Sequence, residues 1–189
     1  MKVAKNDMVL IDAGCSWNNY ASDITRTFSR NRKFSGKQKA VYNAVLHTHK
    51  NTVAAVKPGV SLRELHDLST ELISEQLIDL KLLKCSKDEA VENRQFMEFY
   101  PHYIGHHLGL DVHDCDGIPQ GERRDPETKL DAGMVITIEP GIYVQPDNKD
   151  VPRPWLGLAV RIEDDILVTK EGNENLTDAA FKELKDLES

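Results

Sequence analysis

The chain has only three cysteines, Cys15, Cys85 and Cys115. They are odd in number, far apart and in no C-x-x-C arrangement, which excludes a disulfide framework and a thiolate zinc site and suits a reducing compartment. No apolar run approaches the roughly 20 residues needed to span a bilayer, and the first five residues are too short and polar for a secretory signal, so no membrane partner is expected. Basic residues are the scarcer charge, 24 Lys and Arg against 31 Asp and Glu, for a formal net charge of −7. A general nucleic-acid binder concentrates cations against phosphate, so nucleic acid is not an expected partner. Internal repeats, low-complexity tracts and an interdomain linker are also lacking. With 189 residues, 40% hydrophobic and 29% charged, the expectation is one soluble domain over residues 1–189.

What is present is histidine, concentrated. Four of the seven histidines, His102, His106, His107 and His113, fall within residues 100–114, beside Gly105, Gly109 and the acids Asp111 and Asp114. Neutral imidazole is the commonest metal ligand among side chains, and its second nitrogen needs an acceptor that sets the tautomer. A lone histidine on an apolar face is more often a satisfied core residue than a ligand. Here the histidines have company. Asp12 ends one apolar run, Asp23 follows close by, and Glu139 and Glu163 each sit at or inside an apolar strand. Carboxylates of this kind suit a hard or borderline cation.

Taken in order, residues 8–12 read as a buried strand stopping at Ala13-Gly14. Residues 20–28 read as its hairpin partner, closed around residues 16–19, which brings Asp12 near Asp23. A helix is predicted over residues 36–56, stopped by Pro58-Gly59, with His47 and His49 as surface or packing residues. A second helix starts at the capping box of Ser61 and Glu64, and carries His66 with no catalytic role. Ser86 and Glu89 repeat the pattern before the histidine segment. Residues 115–126 read as a polar surface loop, residues 134–139 and 159–169 as strands, and the tail from Thr177 as an amphipathic helix.

Two aspartates, a histidine and two glutamates exceed what one tetrahedral ion takes, but suit two cations bridged by carboxylates, about 3.5–4 Å apart, holding a water or hydroxide that attacks a polarised carbonyl. Histidine is the natural group for the proton traffic. Hydrolysis of an acyl bond is the reaction such a set most readily supports.

Four motifs, Asp12-Ala13-Gly14 with Asp23-Ile24-Thr25-Arg26-Thr27-Phe28, residues 102–114, Glu139-Pro140-Gly141-Ile142-Tyr143 and Arg161-Ile162-Glu163-Asp164-Asp165, resemble the dinuclear-metal peptidases of the pita-bread fold. They look most like the Xaa-Pro aminopeptidases, in particular the aminopeptidase P3 group that includes the mitochondrial intermediate-cleaving peptidase. The resemblance implies an α+β pita-bread fold and hydrolysis of the bond between an N-terminal residue and a penultimate proline. The partners it implies are peptides with proline in second position.

It also implies two divalent ions, manganese first, with cobalt or zinc as alternatives. Asp12 would chelate one, Asp23 and Glu163 would bridge both, and His106 and Glu139 would complete the other. His102 and His113 would flank the ions and steady the reacting carbonyl, Glu139 would act as general base, and Arg161 would orient carboxylates or substrate. Tyr143 is a weaker candidate.

Members of this family carry a further stretch of the domain before the strand that begins here near Met8. The expectation is therefore a fold lacking its N-terminal portion, with a bare sheet edge covered by a second protomer or a complementing N-terminal chain. A mitochondrial presequence would lie in the same missing stretch, so the expected compartment is cytoplasm or mitochondrion. Prolidase, which shares the fold and ligands but cleaves only Xaa-Pro dipeptides, is the nearest alternative. A truncated, inactive pita-bread module that binds peptides is the alternative of a different class.

Overall fold

A computed structural model of the chain describes residues 3–4, 6–115 and 127–188; all but the first residue of the loop expected over 115–126 lies outside them. Strand β1 (Met8–Ala13) leads into a ribbon of β2 (Ser16–Trp17) and β3 (Tyr20–Ala21), followed by β4 (Ile24–Ser29). The ribbon turns on Asn18 and Asn19, both at positive φ, 49° and 70°. Paired left-handed residues match the right-handed twist of a two-residue hairpin, and Asn tolerates that conformation. β1 and β4 pair antiparallel, with Asp12 opposite Thr25.

The expected partner strand over 20–28 is thus two strands, broken at Ser22 and Asp23. The break arises because both amides bond elsewhere: Ser22 N–H donates to the Cys15 carbonyl at 2.9 Å and Asp23 N–H to Asp165 Oδ2 at 3.2 Å. Nor is β1 buried as its apolar run suggested. Its first half is half-buried, its second half exposed, and Ile11 is 49% exposed. Among the described residues β1 pairs only with β4, which leaves one edge and part of one face uncovered.

Helix α1 (Gly36–Ala55) begins at a reciprocal capping box between Ser35 and Gln38, and α2 (Leu62–Asp79) at the one expected between Ser61 and Glu64. α3 (Lys87–Glu92) starts at Ser86, whose hydroxyl accepts from Glu89 N–H. Strands β5 (Val135–Ile138), β6 (Gly141–Tyr143), β7 (Ala159–Arg161), β8 (Asp164–Val168) and β9 (Asn173–Asn175) follow, then the single turn α4 (Leu184–Leu187). They form a three-stranded β5-β8-β9 sheet and a β6-β7 pair, all antiparallel. Helices and antiparallel strands are segregated along the chain, the α+β class expected from the sequence.

Two further expectations fail. Residues 159–169 are not one strand, because at Ile162 and Glu163 the chain leaves β6 and reaches across to β4. Glu163 N–H donates to the Thr25 carbonyl at 3.1 Å. The tail from Thr177 is not a helix until Leu184. The carbonyls of Ala180 and Phe181 are taken by the Arg26 guanidinium rather than by amides four residues on.

The larger core packs α1 and α2 against β6 and β7 around Tyr42, Ile73, Phe99, Ile142 and Ile162. A second lies under β5 and β8 around Leu65, Ile104, Ile136 and Ile166. Behind the sheets His49 is fully buried, Nε2 3.3 Å from Asp164 Oδ2. Burial lowers its pKa from 6.5 to about 4 against the opposing pull of Asp164, so at neutral pH the contact is made by uncharged imidazole. The unfolded chain therefore takes up a proton near 6.5 that the folded chain refuses until about 4. Stability is full above that window and falls as pH drops through it, by at most about 1.4 kcal/mol per pH unit, or about 3–6 °C in thermal midpoint. His49→Gln should flatten the fall between pH 6.5 and 4.5. Melting curves of the two proteins that stay parallel there would refute it.

Candidate metal centre

The segment after Tyr103 runs along β5 like an additional strand. Glu139 N–H donates to the Ile104 carbonyl and Thr137 N–H to the His106 carbonyl, both at 2.8 Å, and His107 bridges to Ile136. Gly105 is what lets the two chains approach: a Cβ there would lie 1.9 Å from the Thr137 carbonyl oxygen. Pairing along β5 sets His106 beside Glu139, with Nε2 3.6 Å from Glu139 Oε1. The same Nε2 lies 3.5 Å from Asp23 Oδ2. His106 Nδ1 donates to the His107 carbonyl at 3.0 Å, which makes Nε2 the lone-pair nitrogen, the tautomer a metal-ligating histidine requires.

The two strand breaks do the rest. Asp23 sits immediately before β4 and Glu163 immediately before β8, where the chain passes between sheets. Asp12 joins them from β1. Ligand atoms of Asp12, Asp23 and Glu163 all lie within 4.8 Å of one another, as do those of His106, Glu139 and Glu163, and those of Asp23, His106 and His113. The five side chains expected as ligands therefore meet in one place, and Glu163 belongs to two of the groups. His113 joins with its ring 4.2 Å from that of His106.

His102 stands at the margin, Nδ1 4.0 Å from Glu139 Oε2. Its Nδ1 donates to the Tyr103 carbonyl at 2.8 Å, so Nε2 accepts from the Tyr143 hydroxyl at 2.7 Å, which in turn accepts from Arg161 Nη1 at 3.1 Å. Burial lowers the His102 pKa, consistent with a neutral ring. Arg161 also pairs through Nη2 with Asp12, and through Nε donates at 3.1 Å to Thr25 Oγ1. Thr25 Oγ1 in turn donates a hydrogen bond to Glu163 Oε2 at 2.5 Å.

The sequence did not single out Thr25, Arg26 or Asp165, though each holds a candidate ligand in position. A signal existed: Thr25, Arg26 and Thr27 are three consecutive polar residues, and all three are buried. Such a run in a strand needs internal partners.

The electrostatics are those of an anion cluster. Burial, then the charge of Glu139, pushes Glu163 up to about 8, and burial pushes Glu139 up to about 7. Asp23 is raised by burial and then by Asp12. Glu163 Oε1 is buried with no hydrogen-bond partner among the described residues. Four carboxylates, one lone-pair imidazole nitrogen and an unsatisfied buried oxygen are a donor set that fits divalent cations, because a cation would satisfy that oxygen and offset the repulsion.

The profile of Metallopeptidase family M24 matches residues 1–170. The Xaa-Pro aminopeptidase of Haemophilus influenzae is 45% identical over 183 residues, 97% of this chain and 41% of that protein. The mitochondrial intermediate cleaving peptidase 55 of Arabidopsis thaliana is 38% identical over 188 residues, 100% of this chain and 35% of its own length. Among solved structures, the aminopeptidase PepP of Pseudomonas aeruginosa superposes with a TM-score of 0.93 at 42% identity, covering 100% of this chain and 42% of that one. The fold is thus the expected pita-bread fold of the aminopeptidases P, and the chain spans less than half the length of the relatives it matches.

Proposed function

Because the chain belongs to metallopeptidase family M24, we propose that it forms the metal-binding part of a metallo-exopeptidase that hydrolyses the N-terminal Xaa-Pro bond of peptides. The observation that supports this reading is the overlap of three ligand groups, Asp12 with Asp23 and Glu163, His106 with Glu139 and Glu163, and Asp23 with His106 and His113, in which Asp23 and Glu163 are the carboxylates that two cations would share. Two divalent ions, with manganese proposed ahead of cobalt or zinc, would supply Lewis acidity and a water of lowered pKa when bound.

This chain's residues supply the rest. Glu139, half-buried at the edge of the carboxylate cluster 3.6 Å from His106 Nε2, would take a proton from the attacking water and give one to the departing proline nitrogen. As the water oxygen bonds to the carbonyl carbon and the C–N bond breaks, that nitrogen leaves as a secondary amine. His102 and His113 face the reacting carbonyl from the two flanks of the carboxylates, and the Arg161–Tyr143 pair holds His102 in its neutral tautomer. Arg161 also counters the charge of Asp12.

Substrates proposed are peptides with proline second, and the proposed compartment is cytoplasm or mitochondrion. No helix among the described residues is long and apolar enough to cross a membrane. The uncovered edge of β1, beside exposed Ile11 and Trp17, is proposed to meet a second copy or a complementing N-terminal chain.

Turnover of a Gly-Pro-x tripeptide by manganese-loaded protein, absent in Asp23→Ala, is the expected result. Cleavage of Gly-Pro dipeptide alone would indicate prolidase instead. Turnover no greater than that of Asp23→Ala would leave a peptide-binding module.

A further inference from the structure

Arg26 follows Thr25 on β4 and is 5% exposed, yet every nitrogen of its guanidinium is used. Nη1 donates to the main-chain carbonyls of Thr25 at 2.9 Å and Glu163 at 2.6 Å. Nη2 donates to Asp164 Oδ1 at 2.5 Å and to the Ala180 carbonyl at 2.9 Å, while Nε donates to the Phe181 carbonyl at 3.1 Å. Asp164 is itself held by Lys182 Nζ at 3.1 Å, Asn175 Nδ2 at 2.7 Å and Thr177 Oγ1 at 2.9 Å. A buried arginine serving only to neutralise Asp164 needs one edge of its fork. Here the opposite edge clasps the backbone of β4 and the residue leading into β8.

Those two backbones carry the two candidate carboxylates that belong to more than one group, Asp23 and Glu163. Two more bonds run the same way, Glu163 N–H to the Thr25 carbonyl at 3.1 Å and Asp23 N–H to Asp165 Oδ2 at 3.2 Å. The carbonyls of Ala180 and Phe181 that bond Arg26 from behind, and the side chains of Asn175, Thr177 and Lys182 that hold Asp164, lie beyond the residues 1–170 that match the family profile. Donor atoms a few ångströms apart hold an ion pair only if their backbones keep their spacing, so a rigid brace here is worth binding energy at the cations.

We infer that Arg26, aligned by Asp164 and by the 180–181 carbonyls, is a positioning residue that sets the separation of Asp23 and Glu163 and so the cation affinity of the centre. This rests on the metal-centre reading above. Lysine cannot substitute, because a single ammonium cannot span two carbonyls and a carboxylate in one plane.

The test is titration of the metal-free full chain with Mn²⁺, following free ion by electron paramagnetic resonance. Wild type should bind Mn²⁺ and Asp23→Ala should not. Arg26→Lys, folded by near-ultraviolet circular dichroism, should bind about 10- to 100-fold more weakly. Val45→Ala, a cavity in the larger core, should lower the thermal midpoint with Mn²⁺ affinity unchanged. Arg26→Lys binding as wild type does would overturn the inference, as would Val45→Ala losing affinity in proportion to its lost stability. If Arg26→Lys does not fold, Asp164→Asn takes its place: weaker binding is expected, and affinity equal to wild type overturns the inference. Wild type binding no better than Asp23→Ala would instead remove the metal centre itself.

Discussion

Glu163→Gln is expected to release both cations, whereas Asp12→Ala releases one. Glu163 belongs to two of the three ligand groups and would touch both proposed ions, while Asp12 belongs to a single group and its side chain is half-exposed and paired to Arg161. The glutamine keeps the shape and can still accept from Thr25, but it carries no charge. Changing mere outer partners of a metal site costs 10- to 100-fold in affinity, so loss of a shared carboxylate should exceed about 100-fold. The metal-free variant should melt no lower than wild type, because the carboxylate removed is one that burial already pushes up to about 8 and that leaves one oxygen unpartnered. Calorimetric titration with Mn²⁺ reads stoichiometry and affinity together. Two ions retained by Glu163→Gln would contradict a shared carboxylate.

Gly105→Ala is expected to damage the centre without touching a ligand. Its new methyl would lie 1.9 Å from the Thr137 carbonyl oxygen and 2.7 Å from the Thr137 carbonyl carbon, both backbone atoms that cannot swing aside. The histidine segment must then part from β5. The bonds between Ile104 and Glu139 and between His106 and Thr137 that set His106 against Glu139 are lost with it. Overpacking of a well-filled core typically costs about 1–3 kcal/mol, here a drop of roughly 2–12 °C in melting temperature. Mn²⁺ binding should fall in the same protein. Gly36→Ala is the control, since a Cβ there meets nothing within 4 Å and the position opens α1. A Gly105→Ala protein that melts and binds as wild type would mean that close approach to β5 does not set the histidine.

Much of the local structure was legible because it is encoded locally. Ser35, Ser61 and Ser86 each present a hydroxyl to the amide three residues on, and all three helices start there. The strand breaks at Asp23 and Glu163 were not legible. Each depends on a partner far along the chain: the carboxylate of Asp165 for the first, the carbonyl of Thr25 for the second. The tail misled for the same reason. Its helical spacing is real, but Arg26, more than 150 residues away in sequence, claims the carbonyls a helix would need. β1 reads as buried because its residues are apolar, yet burial depends on what is packed against it.

By itself the sequence determined which residue types are available for chemistry, where the helices begin, and the motif order that marks the family, because side-chain chemistry and neighbouring backbone groups suffice for these. Only the tertiary structure decided that Asp12, Asp23, His106, Glu139 and Glu163 converge, that Glu163 is common to two groups, and that Arg26 braces the strands beneath them. Those are distances between segments remote along the chain, and they are set by sheet register, by strand breaks and by one close backbone approach at Gly105.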